Sequence, residues 1–217
     1  MKKMMYRAGF VFLLLFTAST AFAASELIEA AKKGELQKAI SLIEKGIRIN
    51  AIDEDGRTAL ICAAQEGHAE VAGLLAEHQA DLNIRDKDGK SALMAAAEAN
   101  HKNVVDTLLR FKPDVNAIDS KGRTALMYAA SDGSSEVVLA LIAAGARVQA
   151  TDYDGKDASQ IAEGAGKAEI AQLLKSESTK EASSQKKDKK QWVSQLVLSL
   201  STKTKLKKMN SLFTDLF

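Results

Sequence analysis

The chain has 217 residues, of which 46% are hydrophobic and 27% charged, a composition that is typical of a folded domain and excludes a wholly disordered protein. Aromatic residues make up only 5% and proline occurs once, which favours helices packed through small residues over a β-sandwich. The formal charge of +2 divides into +3 for residues 1–23, −6 for residues 24–175 and +5 for residues 176–217. An acidic body with a basic tail indicates an anionic partner or contact of the tail with its own body, and a solvated linker is the alternative.

The first 23 residues have the pattern of an export leader. Lys2, Lys3 and Arg7 precede the apolar run AGFVFLLLFTA, which is short for a membrane-spanning helix. Ala21 and Ala23 then supply the small residues of a cleavage site. We predict cleavage after Ala23 and a location in the periplasm or outside the cell, with an uncleaved membrane anchor as the alternative.

A constant period of 33 residues follows the leader. Gly56, Gly89, Gly122 and Gly155 are separated by this interval, which is typical of a stacked solenoid. Three further columns keep the same spacing, namely Asn50, Asn83, Asn116 and Gln149; Ala30, Ala63, Ala96, Ala129 and Ala162; and Leu42, Leu75, Leu108, Leu141 and Leu174.

The sequence of each unit predicts a turn followed by two helices. The glycine after Asp or Lys can take the positive φ that a hairpin tip requires. The first helix should begin after a capping side chain, which is Thr58, Ser91, Thr124 or Asp157 in successive units. It should end at a residue in the left-handed conformation, which is Gly67, Asn100, Gly133 or Gly166. Apolar residues of the second helix then face the neighbouring unit.

The pattern D-G-x-T-A-L-x-x-A-A-x-x-G-H-x-x-V, followed by L-L and A-D-x-N, resembles the ankyrin repeat. The resemblance implies an all-α solenoid of stacked helix pairs with β-hairpin-like loops, followed here by a C-terminal tail. Its predicted parts are a repeat domain over 24–175, made of a half-unit at 25–50, full units at 51–83, 84–116 and 117–149, and a degenerate last unit at 150–175. The family's Thr-Pro-Leu-His tetrad is changed here to Thr58-Ala59-Leu60-Ile61 and its equivalents, so apolar packing replaces the hydrogen bonds of that His. Ser159 stands where other units have Leu60, which is typical of a capping unit.

The candidate chemical motifs favour structural roles. Asp53, Asp86 and Asp152 open a D-x-D-G motif, but no Glu follows at the position that a calcium loop requires, so we expect solvated hairpin carboxylates. His68 and His101 share one repeat column and offer no third ligand for a metal. Cys62, the single cysteine, lies in an apolar run and is predicted to be a small buried hydrophobe. No catalytic set is recognisable, so we predict no enzyme activity, no cofactor and no metal.

The resemblance implies that a partner protein binds the hairpin tips and the exposed side of the first helices. The corresponding residues are Glu54, Asp55, Arg57, Gln65, Glu66, Lys87, Asp88, Lys90, Glu98, Ser120, Lys121, Arg123, Asp132, Tyr153, Asp154 and Lys156. Tyr153 is the strongest candidate because it is the one aromatic residue at a hairpin tip. Variation among these positions is consistent with binding and equally with an unconstrained surface.

The tail is predicted to have two parts. Residues 176–190 are polar and indicate a flexible linker, whereas residues 191–217 form a basic amphipathic segment. Trp192, Leu196 and Leu200 recur at helical spacing, as do Leu206, Met209 and Phe213 further on. This segment could lie on an anionic membrane, dock on a partner, pack on the acidic stack, or be a frayed end.

These observations predict a non-enzymatic protein-interaction scaffold. The alternatives are an envelope-tethered structural protein, held at a membrane surface by its tail, and a secreted effector. Nucleic acid is disfavoured as a partner by the export leader and by the acidic body.

Overall fold

The computed structural model describes residues 25–199, which form helices joined by short loops. The chain is helical from the first described residue, and this helix, α1, ends at residue 33. The later helices are α2 (Leu36–Glu44), α3 (Ala59–Glu66), α4 (Ala69–Glu77), α5 (Ala92–Glu98), α6 (Lys102–Arg110), α7 (Ala125–Asp132), α8 (Ser135–Ala143), α9 (Ala158–Gly164) and α10 (Ala168–Ser199). Each hairpin loop is closed by a backbone hydrogen bond from the N–H of its turn aspartate to the carbonyl four residues later, as from Asp53 to Arg57, and the first and last hairpins also contain an isolated bridge, such as Ile52 with Thr58. The predicted all-α class is confirmed.

The helices form two rows, which confirms the predicted repeat solenoid. The first helices of the units, α3, α5, α7 and α9, pack side by side, and the second helices α2, α4, α6 and α8 form the other row. Alanines lie where the rows meet, and Ala63, Ala96 and Ala129 are completely buried. A side chain of this size lets neighbouring helices approach closely, so the core is continuous from unit to unit.

Side-chain caps fix the start of each first helix, as predicted. The hydroxyls of Thr58, Ser91 and Thr124 accept hydrogen bonds from the backbone N–H three residues later. Asp157 does the same in the last unit, where Gln160 bonds back to the Asp157 N–H and completes a capping box. Each such cap typically stabilises a helix by about 1 kcal/mol.

An aspartate opens each hairpin and holds its turn. In Asp53, Oδ1 accepts hydrogen bonds of 2.9 Å from the N–H groups of the residues two and four positions further on. The same two bonds recur at Asp86, Asp119 and Asp152. The expectation of solvated carboxylates at Asp53, Asp86 and Asp152 is therefore wrong, since Asp152 is buried and the other two are half-buried. The carboxylates turn inward because the turn leaves backbone N–H groups that need acceptors.

Asparagines connect each unit to the next. In Asn50, Oδ1 accepts a hydrogen bond of 3.0 Å from the N–H of Asp81, 31 residues away. Asn83 and Asn116 make the equivalent bonds at 2.9 and 2.8 Å. The Asn column of the sequence is thus a row of links between loops, a role that periodicity alone did not indicate.

Histidines reinforce the first joints of the stack, where a joint is the contact between two successive units. The ring Nε2 of His68 lies 3.1 Å from the carbonyl oxygen of Lys32, and His101 bonds in the same way to Gln65. A carbonyl only accepts, so Nε2 carries the proton. Each ring also packs over the glycine that ends the preceding first helix: a Cβ added at Gly67 would lie 2.8 Å from His101. The structural role predicted for both histidines is confirmed.

The joint between the second and third full units is built differently. Asn100 replaces the glycine there, and Ser134 stands where the first two joints have His68 and His101. In Asn100, Oδ1 accepts a 3.0 Å hydrogen bond from the N–H of Ser134, whose own hydroxyl caps α8. Gly67, Asn100 and Gly166 take the predicted positive φ, but Gly133 has φ −79° and ψ −175°, so the prediction for Gly133 is wrong. Glycine is needed at that position for space, because a Cβ would lie 2.4 Å from the Ala129 carbonyl oxygen.

The last helix departs from the sequence prediction. Its first turns belong to the stack, where Ile170, Ala171 and Leu174 are buried. The compact unit of the repeats ends at Leu174, and the chain from Lys175 belongs to a second unit. Residues 176–190 were predicted to be a flexible linker, but they lie within the helix α10. The helix continues because residues 168–199 contain no Gly or Pro and many Ala, Lys, Glu and Gln residues, which favour helix.

The remaining terminal predictions concern residues beyond the described range. The leader, with cleavage after Ala23, and the tail residues Leu200, Leu206, Met209 and Phe213 lie outside residues 25–199. Within that range, no helix is both long enough and apolar enough to cross a membrane.

Cys62 is buried, as predicted, with 2% of its surface exposed. Burial, partly offset by the charges of Lys32 and Arg57, raises the pKa of this thiol to about 11. The thiolate is the reactive form of cysteine. We therefore expect the native protein to react with a thiol reagent at pH 8 at least about a hundredfold more slowly than the unfolded protein, as measured by the absorbance of a disulfide reagent. Equal rates in buffer and in denaturant would show that Cys62 is accessible.

The Asn100 and Ser134 pair should behave as a unit. We expect Ser134→His alone to lower the free energy of unfolding by about 1–2 kcal/mol, because an imidazole cannot pack over a residue that has a side chain. The double variant with Asn100→Gly should recover about 1 kcal/mol relative to the sum of the single variants, as measured by urea unfolding. Additive effects of the two substitutions would contradict this pairing.

Candidate partner-binding surface

The predicted binding residues form a continuous row of loop tips. Backbone hydrogen bonds join successive hairpins, from the N–H of Lys87 to Asp55, of Ser120 to Asp88 and of Tyr153 to Lys121, at 2.9–3.0 Å. The exposed members are Glu54, Asp55, Gln65, Glu66, Lys87, Asp88, Ser120, Lys121, Asp132, Tyr153, Asp154 and Lys156. Because the hairpins are bonded to each other, these side chains stand on a preorganised edge.

Three basic residues predicted for binding are engaged within the protein. The Arg57 guanidinium contacts the carboxylates of Asp53 at 3.1 Å and Asp55 at 2.7 Å. Burial alone would raise the pKa of Asp53, but hydrogen bonds from the Arg57 and Asp55 N–H groups and from the Arg57 guanidinium lower it on balance. Arg123 is similarly directed to the buried Asp152, with Nε 3.7 Å from a carboxylate oxygen. Arg57 thus stabilises its own loop, whereas Arg123 forms an ion pair with Asp152 although its buried Nε has no hydrogen-bond partner.

Lys90 belongs to a polar cluster around Tyr128. Its ammonium lies 2.6 Å from Glu98 and 4.9 Å from the centre of the Tyr128 ring, a cation–π distance. The Tyr128 hydroxyl donates a 2.6 Å hydrogen bond to Oδ2 of Asp119, which is also buried. Burial and this bond raise the pKa of Tyr128 well above its usual value. The cluster therefore fixes the third hairpin to the helix α7 beneath it.

Tyr128 was missed in the sequence because it lies inside the helix rather than at a loop tip. The available signal was its column, in which the other units have Cys62, Ala95 and Ile161. A tyrosine among small and aliphatic residues indicates a hydroxyl that needs a partner. Asp119, nine residues earlier, is that partner.

Tyr153 is both exposed and held in place. Its side chain is 72% accessible to solvent, the largest value among the exposed large hydrophobic residues of the described chain. The ring rests against Gly122 of the preceding hairpin, where a Cβ would lie 2.7 Å from the ring. A rigid aromatic ring with one face open to solvent is a suitable anchor for a partner, because little conformational entropy is lost on binding.

Two further apolar residues extend this edge. Ile52 and Ile118 directly precede the turn aspartates, and they are 61% and 39% exposed. This column, in which Arg85 and Thr151 occupy the other units, was not among the predicted binding positions. The available signal was an isoleucine beside a turn, outside the buried columns. Ile52 also lines an open groove of about 770 Å³ between α1 and the first hairpin.

The titratable residues of the described region do not converge on a metal-type site. No group of three or more His, Cys, Asp or Glu side chains within residues 25–199 is arranged to hold a metal ion. The acidic residues of the edge are instead dispersed along it or paired with Arg57, Lys90 and Arg123.

Comparison with known protein families agrees with this geometry. The family model for ankyrin repeats in three copies matches residues 7–86, 27–119, 80–152 and 107–190, so that the matches together extend over most of the chain. A search of curated proteins found no match. Because these matches cover well over half of the chain, the chain belongs to the ankyrin repeat family.

Proposed function

We propose that the protein is a non-enzymatic scaffold that binds another protein along its hairpin edge, in the periplasm or outside the cell. The observation that carries the proposal is the Tyr153 ring, 72% exposed yet seated on Gly122. Ankyrin repeats in general mediate contacts between proteins, and this edge offers such a contact an aromatic anchor. The proposed location follows from the leader pattern of residues 1–23.

The chemistry of the edge supports a protein partner. Exposed Ile52, Ile118 and Tyr153 lie among charged tips, an alternation of apolar anchors and polar rim that is typical of protein interfaces. The charges change along the edge, from Glu54, Asp55 and Glu66 in the first full unit to Lys121 with Asp132 in the third. A partner with a basic region facing the first unit would complement this pattern.

The test compares two aromatic residues. We expect Tyr153→Ala to weaken capture of the partner by about 30-fold, because loss of an aromatic anchor costs about 2 kcal/mol of binding free energy. Phe111→Ala is the matched control, since Phe111 is also exposed but follows the second helix α6. The measurement is quantitative capture from an envelope extract with the purified variants, after thermal unfolding has shown that both are folded.

The outcomes show whether the partner binds the hairpin edge or another surface of the protein. Loss with Tyr153→Ala and retention with Phe111→Ala supports the hairpin edge. If both variants capture the same proteins as the unaltered chain, in equal amounts, the edge does not bind the partner. Loss with Phe111→Ala alone would assign binding to the side of the second helices.

A further inference from the structure

The part of α10 beyond the repeats joins a lysine cluster to an apolar segment. Residues 186–190 have the sequence KKDKK and residues 191–199 have the sequence QWVSQLVLS. Both stretches lie within the helix α10, which has no break between them. This segment contains none of the hairpin residues described above, and it belongs to the second compact unit of the chain, which begins at Lys175.

Trp192 is the exposed apolar residue of this segment. Its side chain is 56% accessible, and the neighbouring Lys189 and Lys190 are also exposed. An indole is one of the largest apolar groups in proteins and gains stability when it is transferred from water to a less polar environment. An exposed tryptophan three residues after an exposed lysine is therefore available for contact with a second surface.

Helix geometry places the apolar positions together. Positions 189, 192 and 196 follow each other at intervals of three and four, and positions 193 and 197 lie beside them on the same face of α10. Gln191, Ser194 and Gln195 lie on the opposite face of the helix, together with Leu198. Lysines therefore precede an apolar stripe on one face, and Leu198 is the one apolar position among the neutral polar residues opposite.

We propose that residues 186–199 dock on an anionic lipid surface, with the lysines at the headgroup phosphates and Trp192 at the boundary of the acyl chains. The charge complementarity is direct, since residues 176–217 carry +5 while residues 24–175 carry −6 and would be repelled by the same lipids. Tryptophan next to lysine is the combination that suits the interface of a bilayer, where the ring is half-immersed and the ammonium stays in water. A lipid surface also accepts a single ring without a matching pocket, whereas a protein partner would need one.

The single tryptophan makes the test specific. The chain contains one Trp, so the intrinsic tryptophan fluorescence of the full chain reports on position 192 alone. We expect vesicles of phosphatidylglycerol and phosphatidylcholine to shift the emission to shorter wavelength, and brominated acyl chains to quench it. Vesicles of pure phosphatidylcholine should give at least tenfold weaker binding, and added salt should weaken the anionic case because it screens the lysines.

Two double charge-reversal variants distinguish binding by this segment from a general effect of the net charge of the protein. Lys189→Glu with Lys190→Glu should weaken binding to the anionic vesicles at least tenfold. Lys87→Glu with Lys121→Glu is the matched control, because it changes the net charge equally on the hairpin edge of the repeats. The control should bind these vesicles within about twofold of the unaltered chain.

Three results would overturn the proposal. They are an unchanged emission spectrum with anionic vesicles, an equal shift with neutral vesicles, and equal weakening by the two charge-reversal pairs. A shift that requires a protein from the extract and no lipid would assign the segment to a protein partner instead. Because capture through Tyr153 is measured without vesicles, failure of the lipid test leaves the scaffold proposal intact, and the reverse also holds.

Discussion

Close approach of neighbouring helices through alanine is the constraint on which the rest of the structure depends. Ala30, Ala63, Ala96, Ala129 and Ala162 have no accessible surface. A larger side chain there would push the units apart, and each bond between units would then be lost. The asparagine links, the histidine–carbonyl bonds and the ladder of hairpin backbones all join residues about one repeat apart. They form only because the units are held at a fixed distance by apolar packing, which also supplies most of the stabilisation.

The helix caps and the buried alanine columns could be predicted because each depends on a single residue and on its position within one repeat unit. A threonine before an apolar run caps a helix whatever its neighbours are, and Thr58, Ser91 and Thr124 all do so. The buried alanine columns follow from period alone. The conformation of Gly133 was not predicted in this way, and the residue after it, Ser134, is bonded to Asn100 of the preceding unit. The continuation of α10 through residues 176–190 was missed because a polar composition was taken to indicate a linker, although its residues favour helix.

The candidate surface was predictable in outline but not in its details. The repeat register located the loop tips, and Tyr153 is exposed among them. It did not show that Arg57, Lys90 and Arg123 are engaged with carboxylates of the same protein, because these contacts depend on side-chain directions. Nor did it show that Tyr128 anchors the third hairpin from below through Asp119. The scaffold therefore uses many of its own polar groups, and the exposed apolar residues Ile52, Ile118 and Tyr153 are what distinguish one tip from another.

The different joint at Asn100 and Ser134 means that the units are not interchangeable. Repeat arrays grow when one unit is copied in register beside itself. If residues 84–116 were copied directly after themselves, the His101 equivalent of the new unit would face the side chain of Asn100, where every histidine-bearing joint of this protein offers a glycine. A copy of residues 51–83 meets no such obstacle, because it ends its first helix with Gly67 and begins its second after His68. The order of units in this array therefore depends on pairs of side chains in different units, and residues 51–83 can be repeated in register, whereas a repeat of residues 84–116 places a histidine against Asn100.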